Sequence, residues 1–215
     1  MKRAEAREQM HAQILTAARQ EIAVHGGGAL SMRAIAREVG LVSSAVYRYF
    51  PTREALLTAM ITESYGNLAE ALATSGADRK RNLARRWETL GRAFRVWSMS
   101  NPHEFQLIYG TPIPGYIAPA ETIPAAESVA VHFLTTGARR PVGEFNSSAL
   151  HRQISPTAGS LDLDPSGTAA VIAEIAALVG MLTAEIAGHF VGTADPADHL
   201  FEAFLRRQTT TLGLS

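Results

Sequence analysis

From Leu83 onward the large apolar residues keep one rhythm. Leu83, Trp87, Leu90, Phe94 and Trp97 recur at intervals of 4, 3, 4 and 3 residues, which places all five on a single face of an α-helix but would scatter them over both faces of a strand. No stretch of the chain alternates with period two for long enough to argue for a sheet. The spacing therefore predicts an all-α fold, and the remaining question is how the helices are divided.

The first helix is expected over Ala4 to Val24, where Met10, Ile14, Ala17, Ala18 and Ile22 share a face, and the glycines at 26, 27 and 28 end it near His25. Ser31 can cap a second helix with Ile35, Ala36 and Val39 inward, and Gly40 supplies the following turn. Ser43 or Ser44 starts a third helix, broken after Phe50 by Pro51, and Thr52 can cap a long fourth carrying Leu56, Leu57, Met60, Ile61 and Leu68. The fifth is the Leu83 to Trp97 stripe, closed by Asn101 and Pro102. A short helix follows over HEFQLIYG. Four prolines and two glycines make Gly110 to Pro124 irregular. Further helices are expected over about 122–137, 143–154, 166–191 and 196–212.

Composition narrows the function classes. The 20 basic and 20 acidic residues cancel, yet up to residue 55 eight Lys or Arg (Lys2, Arg3, Arg7, Arg19, Arg33, Arg37, Arg48, Arg53) face five Glu, a front of +3 that leaves −3 for the rest. With no cysteine, a disulfide framework and cysteine-ligated metal sites are excluded, which is compatible with a reducing cytoplasm. The start MKRAEAREQMHAQIL lacks the apolar run of a secretion signal. Only Thr168 to Phe190 approaches membrane-spanning length, and Glu174 and Glu185 interrupt it, so a buried or subunit-facing helix is expected and no membrane partner.

Seven histidines (11, 25, 103, 132, 151, 189, 199) show neither a HisGluXaaXaaHis pattern nor a close pair, so no metal is expected. There is no GlyXaaSerXaaGly elbow, and the glycine triplet follows a helix where a phosphate loop would follow a strand. No catalytic residue and no cofactor are assigned. The charge run at 79–81 with Arg85 and Arg86 reads as a solvated helix start.

The stretch SMRAIAREVGLVSSAVYRYFPTREALL, Ser31 to Leu57, carries the functional signal. A helix, a tight glycine turn and a second short helix can lay the second in the major groove of DNA while the first braces it. Ser43, Ser44, Ala45, Tyr47, Arg48 and Tyr49 supply small side chains for approach to base edges and hydroxyls and cations for phosphates. This stretch resembles the amino-terminal signature of the TetR family of transcriptional repressors. The resemblance implies that Ser31, Arg33, Tyr47, Tyr49 and Arg53 meet the phosphate backbone, with Ser43, Ser44, Ala45 and Arg48 nearest the bases. Many members have serine where this chain has Val42, so Ser43 is expected to take over capping. More weakly, FRVWSMSNPHEFQLIYGTPIPGYIAP and EIAGHF resemble a TetR-type effector domain named for a tryptophan, a histidine and a glycine. Gly180 keeps the glycine, and Ile175 and Val179 stand where the other two are expected.

The resulting expectation is a TetR-like all-α regulator, with a helix-turn-helix domain over 1–52 and a helical effector-binding and dimerisation domain over 53–215. Its partners would be a palindromic double-stranded operator, a second copy of the chain and a small-molecule effector; it would act as a cytoplasmic bacterial repressor. Phe94, Trp97, Phe105, Tyr109, Tyr116 and Phe133, with no obvious charged partner, are the expected effector contacts and favour an apolar ligand. In the late helix Ile172, Ile175, Val179, Leu182, Ile186 and Phe190 form one stripe beside a second of small residues. Ala177, Gly180 and Ala184, with Phe201, Phe204 and Leu205 of the last helix, are the expected dimer contacts. Two alternatives stay open: a DNA-binding regulator without ligand control, and a helical enzyme or adaptor.

Overall fold

A computed structural model of the chain describes residues 2–214. The side chains of Lys2 and Arg3, two of the amino-terminal cations counted above, lie outside the described set. The described residues form α-helices and short 3₁₀ turns with no strand. The helices are α1 (Lys2–His25), α2 (Met32–Glu38), α3 (Ser43–Val46), α4 (Arg53–Thr74), α5 (Leu83–Ser100), α6 (Pro102–Tyr109), α7 (Ile123–Gly137), α8 (Ser148–Ser160), α9 (Pro165–Ile186) and α10 (Asp198–Thr211).

Two compact units result, Met1–Tyr65 with Asn101–Ala125 and Gly66–Ser100 with Ala126–Ser215. This differs from the expected boundary at residue 52. The first half of α4 belongs with the amino-terminal helices because Leu56, Leu57 and Met60 are buried in their core. Residues 101–125 join the same unit because Leu107, Ile113 and Tyr116 pack on that core and the Tyr116 hydroxyl lies 2.9 Å from Thr58 Oγ1.

In the first unit the inward faces of α1 (Ile14, Ala18, Ile22), α2 (Met32, Ile35, Ala36) and α4 close around Val46 and Phe50. Arg19 of α1 pairs with Glu63 of α4 at 2.5 Å. Thr52 caps α4 through the Ala55 amide, 3.0 Å, as its place before the apolar run predicts.

In the second unit Trp87, Leu90 and Phe94 of α5 are buried with Phe133, Val171, Leu178, Leu182, Phe201 and Leu205. The Trp87 and Phe133 rings meet edge to face at 5.2 Å. One polar chain crosses this interior: Trp87 Nε1 donates to Gln208 Oε1 at 3.1 Å, and Gln208 Nε2 donates to the Glu174 carbonyl at 2.7 Å. Every buried polar atom of that chain gains a partner, which removes the penalty of leaving it dry and unpaired.

Several helix ends shift from expectation. α9 stops at Ile186 instead of 191, because Gly188 takes a positive φ of 74° and the amides of Gly188 and His189 turn back to the carbonyls of Glu185 and Ala184. α8 starts five residues later than expected and runs to Ser160, because Ser147 caps it through the Leu150 amide. The start of α9 is held by Asp164, whose Oδ1 accepts from the Gly167 amide at 2.9 Å and from Ser166 Oγ at 2.6 Å. Ser166 Oγ in turn accepts from the Val142 amide, which ties the 138–142 loop to the helix.

Burial alone would raise the Asp164 carboxyl, but the Ser166 hydroxyl and the Gly167 and Ser166 amides together hold it below its ordinary value. Its contribution is therefore present above the carboxylate range of the unfolded chain and is lost as pH falls through the folded-state value. Asp164→Ala should cost about 1 kcal/mol at neutral pH, the usual worth of a helix cap. In urea unfolding, the gap between wild type and variant should shrink on acidification. A gap of constant size would contradict this role.

Candidate nucleic-acid interface

The helix-turn-helix begins at Ser31, which has extended backbone and accepts from the Ala34 amide at 3.3 Å. α2 ends in a left-handed residue, Gly40 at φ 69°, and the Leu41 amide returns to the Ala36 carbonyl at 2.8 Å. A side chain at that φ would be strained, so glycine sets the turn angle between the two helices. At the next helix start Val42 occupies the cap position, 70 % exposed and without a side-chain cap bond. The expectation that Ser43 caps is corrected: Ser43 is the first helical residue, because the extended backbone conformation falls on Val42.

α3 is a single turn, Ser43–Val46, continued by tight turns in which the Arg48 and Tyr49 amides reach the carbonyls three residues back. Val46 is fully buried and Phe50 nearly so, with the His11 ring 4.6 Å from that of Phe50. Two inward anchors thus hold the Tyr47–Tyr49 segment against the core. Arg33, Ser44, Tyr47 and Arg48 are exposed, and Ser31, Ser43 and Tyr49 are half-buried. Ala45 departs from expectation: at 5 % exposure it faces the core, so it leaves the set available to bases.

Arg53 has a structural role that the sequence did not indicate. Its Nη2 donates to the carbonyls of Gly27 and Gly28 at 2.7 and 3.0 Å, and its Nε to the Leu30 carbonyl at 3.2 Å. A guanidinium presents donors in a fixed fork, which suits three carbonyls of one turn. The residue expected to meet phosphate therefore clamps the glycine turn. That turn is approached closely from its other side, since a Cβ on Gly27 would overlap Ile113. Sequence reasoning had no signal for this contact, because residues 27 and 113 are far apart in the chain.

The expected effector contacts are divided between the two units. Phe94, Trp97 and Phe133 belong to the second unit, and Phe105, Tyr109 and Tyr116 to the first. Phe94 and Phe133 are fully buried, with ring centroids 6.3 Å apart. In the first unit Phe105 and Tyr65 flank Tyr109, at 5.5 and 5.9 Å. Burial, with the Tyr65 phenol beside it, raises the Tyr109 hydroxyl well above the usual phenol range, so it stays protonated. Tyr116 bonds Thr58 within the amino-terminal unit, so truncating it reaches the core under the helix-turn-helix.

Of the expected dimer contacts, Phe201 and Leu205 are fully buried in their own protomer and cannot meet a second chain. Phe204 is half-buried under the Arg207 guanidinium, 5.1 Å from its ring centroid. The two faces of α9 exist, but rotated from the expected stripes. Val171, Glu174, Leu178 and Leu182 face inward, while Ile172, Ala176, Gly180 and Thr183 are exposed and Ile175, Ala177, Val179 and Ala184 half-buried. The reason is electrostatic as well as apolar, since Glu174 sits on the inward face paired with Arg207 at 2.8 Å. By length and composition α9 could cross a membrane, and here it packs on α8 and α5.

Comparison with known proteins identifies both parts of the chain. Residues 14–60 match the family model for bacterial regulatory proteins of the tetR family, and residues 87–208 match the tetracyclin repressor-like C-terminal domain. HTH-type transcriptional regulators of Mycobacterium tuberculosis and Mycobacterium bovis are 43 % identical over 126 residues, 56 % of this chain and 52 % of each relative. The matched segment spans about half the length of these curated relatives. A solved protein described as regulatory, SCO4313, superimposes with a TM-score of 0.80 at 29 % identity, over 95 % of this chain and 97 % of that one. With a helix-turn-helix in front and a matched carboxy-terminal domain behind it, the chain belongs to the TetR family of bacterial regulatory proteins, and not to a family of enzymes.

Proposed function

We propose that the chain is a cytoplasmic, dimeric DNA-binding regulator of transcription that represses from a palindromic operator and is released by a small, mostly apolar effector. The observation that carries the DNA-binding reading is the exposed set Arg33, Ser44, Tyr47 and Arg48 on a core-anchored helix-turn-helix. Arg33 and Tyr47 suit phosphates; Ser43, Ser44 and Arg48 suit base edges. Effector contacts are assigned to the apolar interior around Phe94 and Phe133, where large rings offer contact area and little charge. Binding there would favour the conformation that fits the operator less well, a coupling between two sites. Mobility-shift assays with genomic fragments, followed by challenge with apolar compounds, test both parts. Protein that shifts no fragment contradicts the DNA reading, and complexes that no compound releases contradict the effector reading.

The clamp and the base contacts should separate on mutation. Ser44→Ala should change the preferred base at its contact by about 1 to 3 kcal/mol while leaving unfolding unaltered. Arg53→Ala should instead destabilise the fold by about 1 to 3 kcal/mol, because it strands carbonyls that the guanidinium satisfied. Site selection and urea denaturation on both variants decide the matter; an Arg53→Ala protein of wild-type stability would return Arg53 to the phosphate set.

Dimerisation is assigned to the outward face of α9. Gly180 is exposed, and a Cβ built there has no atom within 4 Å in its own protomer. Gly180→Arg should therefore leave each protomer folded, yet weaken a symmetric dimer by at least 1 to 3 kcal/mol, roughly the cost of overpacking. Sedimentation equilibrium reads the dissociation constant, and an unchanged dimer would move the interface elsewhere.

A further inference from the structure

Four arginines of the amino-terminal unit contrast in what they meet. Arg19 is committed to Glu63, and Arg53 to the carbonyls of Gly27, Gly28 and Leu30. Arg7 and Arg48 are exposed, and no ion pair to either occurs among the described residues. These two, with Ala6 and Tyr49, line an open hollow of about 500 Å³ where α1 meets the end of the α3 segment. The nearby acids do not neutralise it. Glu5 and Glu8 stand two and one residues from Arg7 along α1, spacings that do not share a helix face.

Each polar side chain around this hollow can donate hydrogen bonds: two guanidiniums, which accept none, and a phenol hydroxyl. Such a set fits an anion with several acceptor oxygens. It lies on the same short segment that carries Ser44 and Tyr47, so an anion held there would sit beside the groove-reading side chains. We propose that Arg7 and the Tyr49 hydroxyl hold one DNA phosphodiester per protomer, with Arg48 on the rim adding positive field. Arg7 thereby makes the first helix a DNA contact as well as a brace. The inference rests on the DNA-binding reading above and adds to it a residue outside the helix-turn-helix.

The test is fluorescence anisotropy on the full chain at several salt concentrations, with a random-sequence duplex and an operator duplex recovered by site selection. Losing one phosphate contact per protomer should reduce the slope of log K against log salt by about 0.9 each, close to two for a dimer. At about 0.1 M salt that corresponds to binding weaker by tens of fold for Arg7→Ala, alike on both duplexes. Arg7→Lys should retain most of the slope, and both variants should keep the wild-type unfolding midpoint. If wild type binds with clear salt dependence and Arg7→Ala keeps the same slope, the phosphate seat is wrong while the DNA-binding reading stands. An altered selected consensus with an unaltered slope would make Arg7 a base reader and overturn the seat as well. Wild type that binds neither duplex overturns both readings together.

Discussion

The reading head depends on one guanidinium. The turn between α1 and α2 contains three glycines; the Gly26 carbonyl accepts from the Ala29 amide, and Arg53 reaches the carbonyls of Gly27, Gly28 and Leu30 from the start of α4. Three charge-assisted bonds across more than twenty residues of sequence fix where α2 begins relative to α4. The Ser31 cap follows directly from that turn, and the segment from Ser43 to Phe50 is strung between α2 and α4. Arg53 thus acts on the helix-turn-helix through the backbone that carries it. Its position at the mouth of the fourth helix looks like that of a phosphate contact, yet its Nε and Nη2 donate to backbone carbonyls of the glycine turn.

The same turn is also where the amino-terminal unit receives residues 101–125. Ile113 sits against Gly27, and Tyr116 against Thr58, so a segment remote in sequence touches the turn and the fourth helix at once. A shift of that segment would bear on the glycine turn that Arg53 clamps, because packed interiors transmit displacement with little compression.

In the second unit a buried polar chain does comparable work. Trp87 fixes Gln208, Gln208 fixes the α9 backbone at Glu174, and the Glu174 carboxylate meets Arg207. A charge on the inward face of an otherwise apolar helix helps fix its rotation alongside Val171, Leu178 and Leu182, since turning α9 the other way would leave Glu174 without Arg207. That rotation leaves Ile172, Ala176 and Gly180 outward. Which apolar face of α9 points outward is therefore set in part by an acid on the opposite side.

Local chemistry was legible in the sequence wherever neighbours along the chain settle it. The 4-and-3 spacing gave α5, Ser31 and Thr52 marked their helix starts, and Gly40 marked the turn, because each acts through residues only a few positions away. The motif from Ser31 to Leu57 likewise carries the family's signature in its local residues. Tertiary structure alone decided that Ala45 faces inward, that Arg53 clamps a turn, that Phe201 and Leu205 are core, and that residues 101–125 join the amino-terminal unit. Each of these depends on a partner distant in sequence: the carbonyls at 27–30 for Arg53, Arg207 for Glu174, Thr58 for Tyr116. Periodicity reports which residues share a face, but burial and free donors are set by what that face meets.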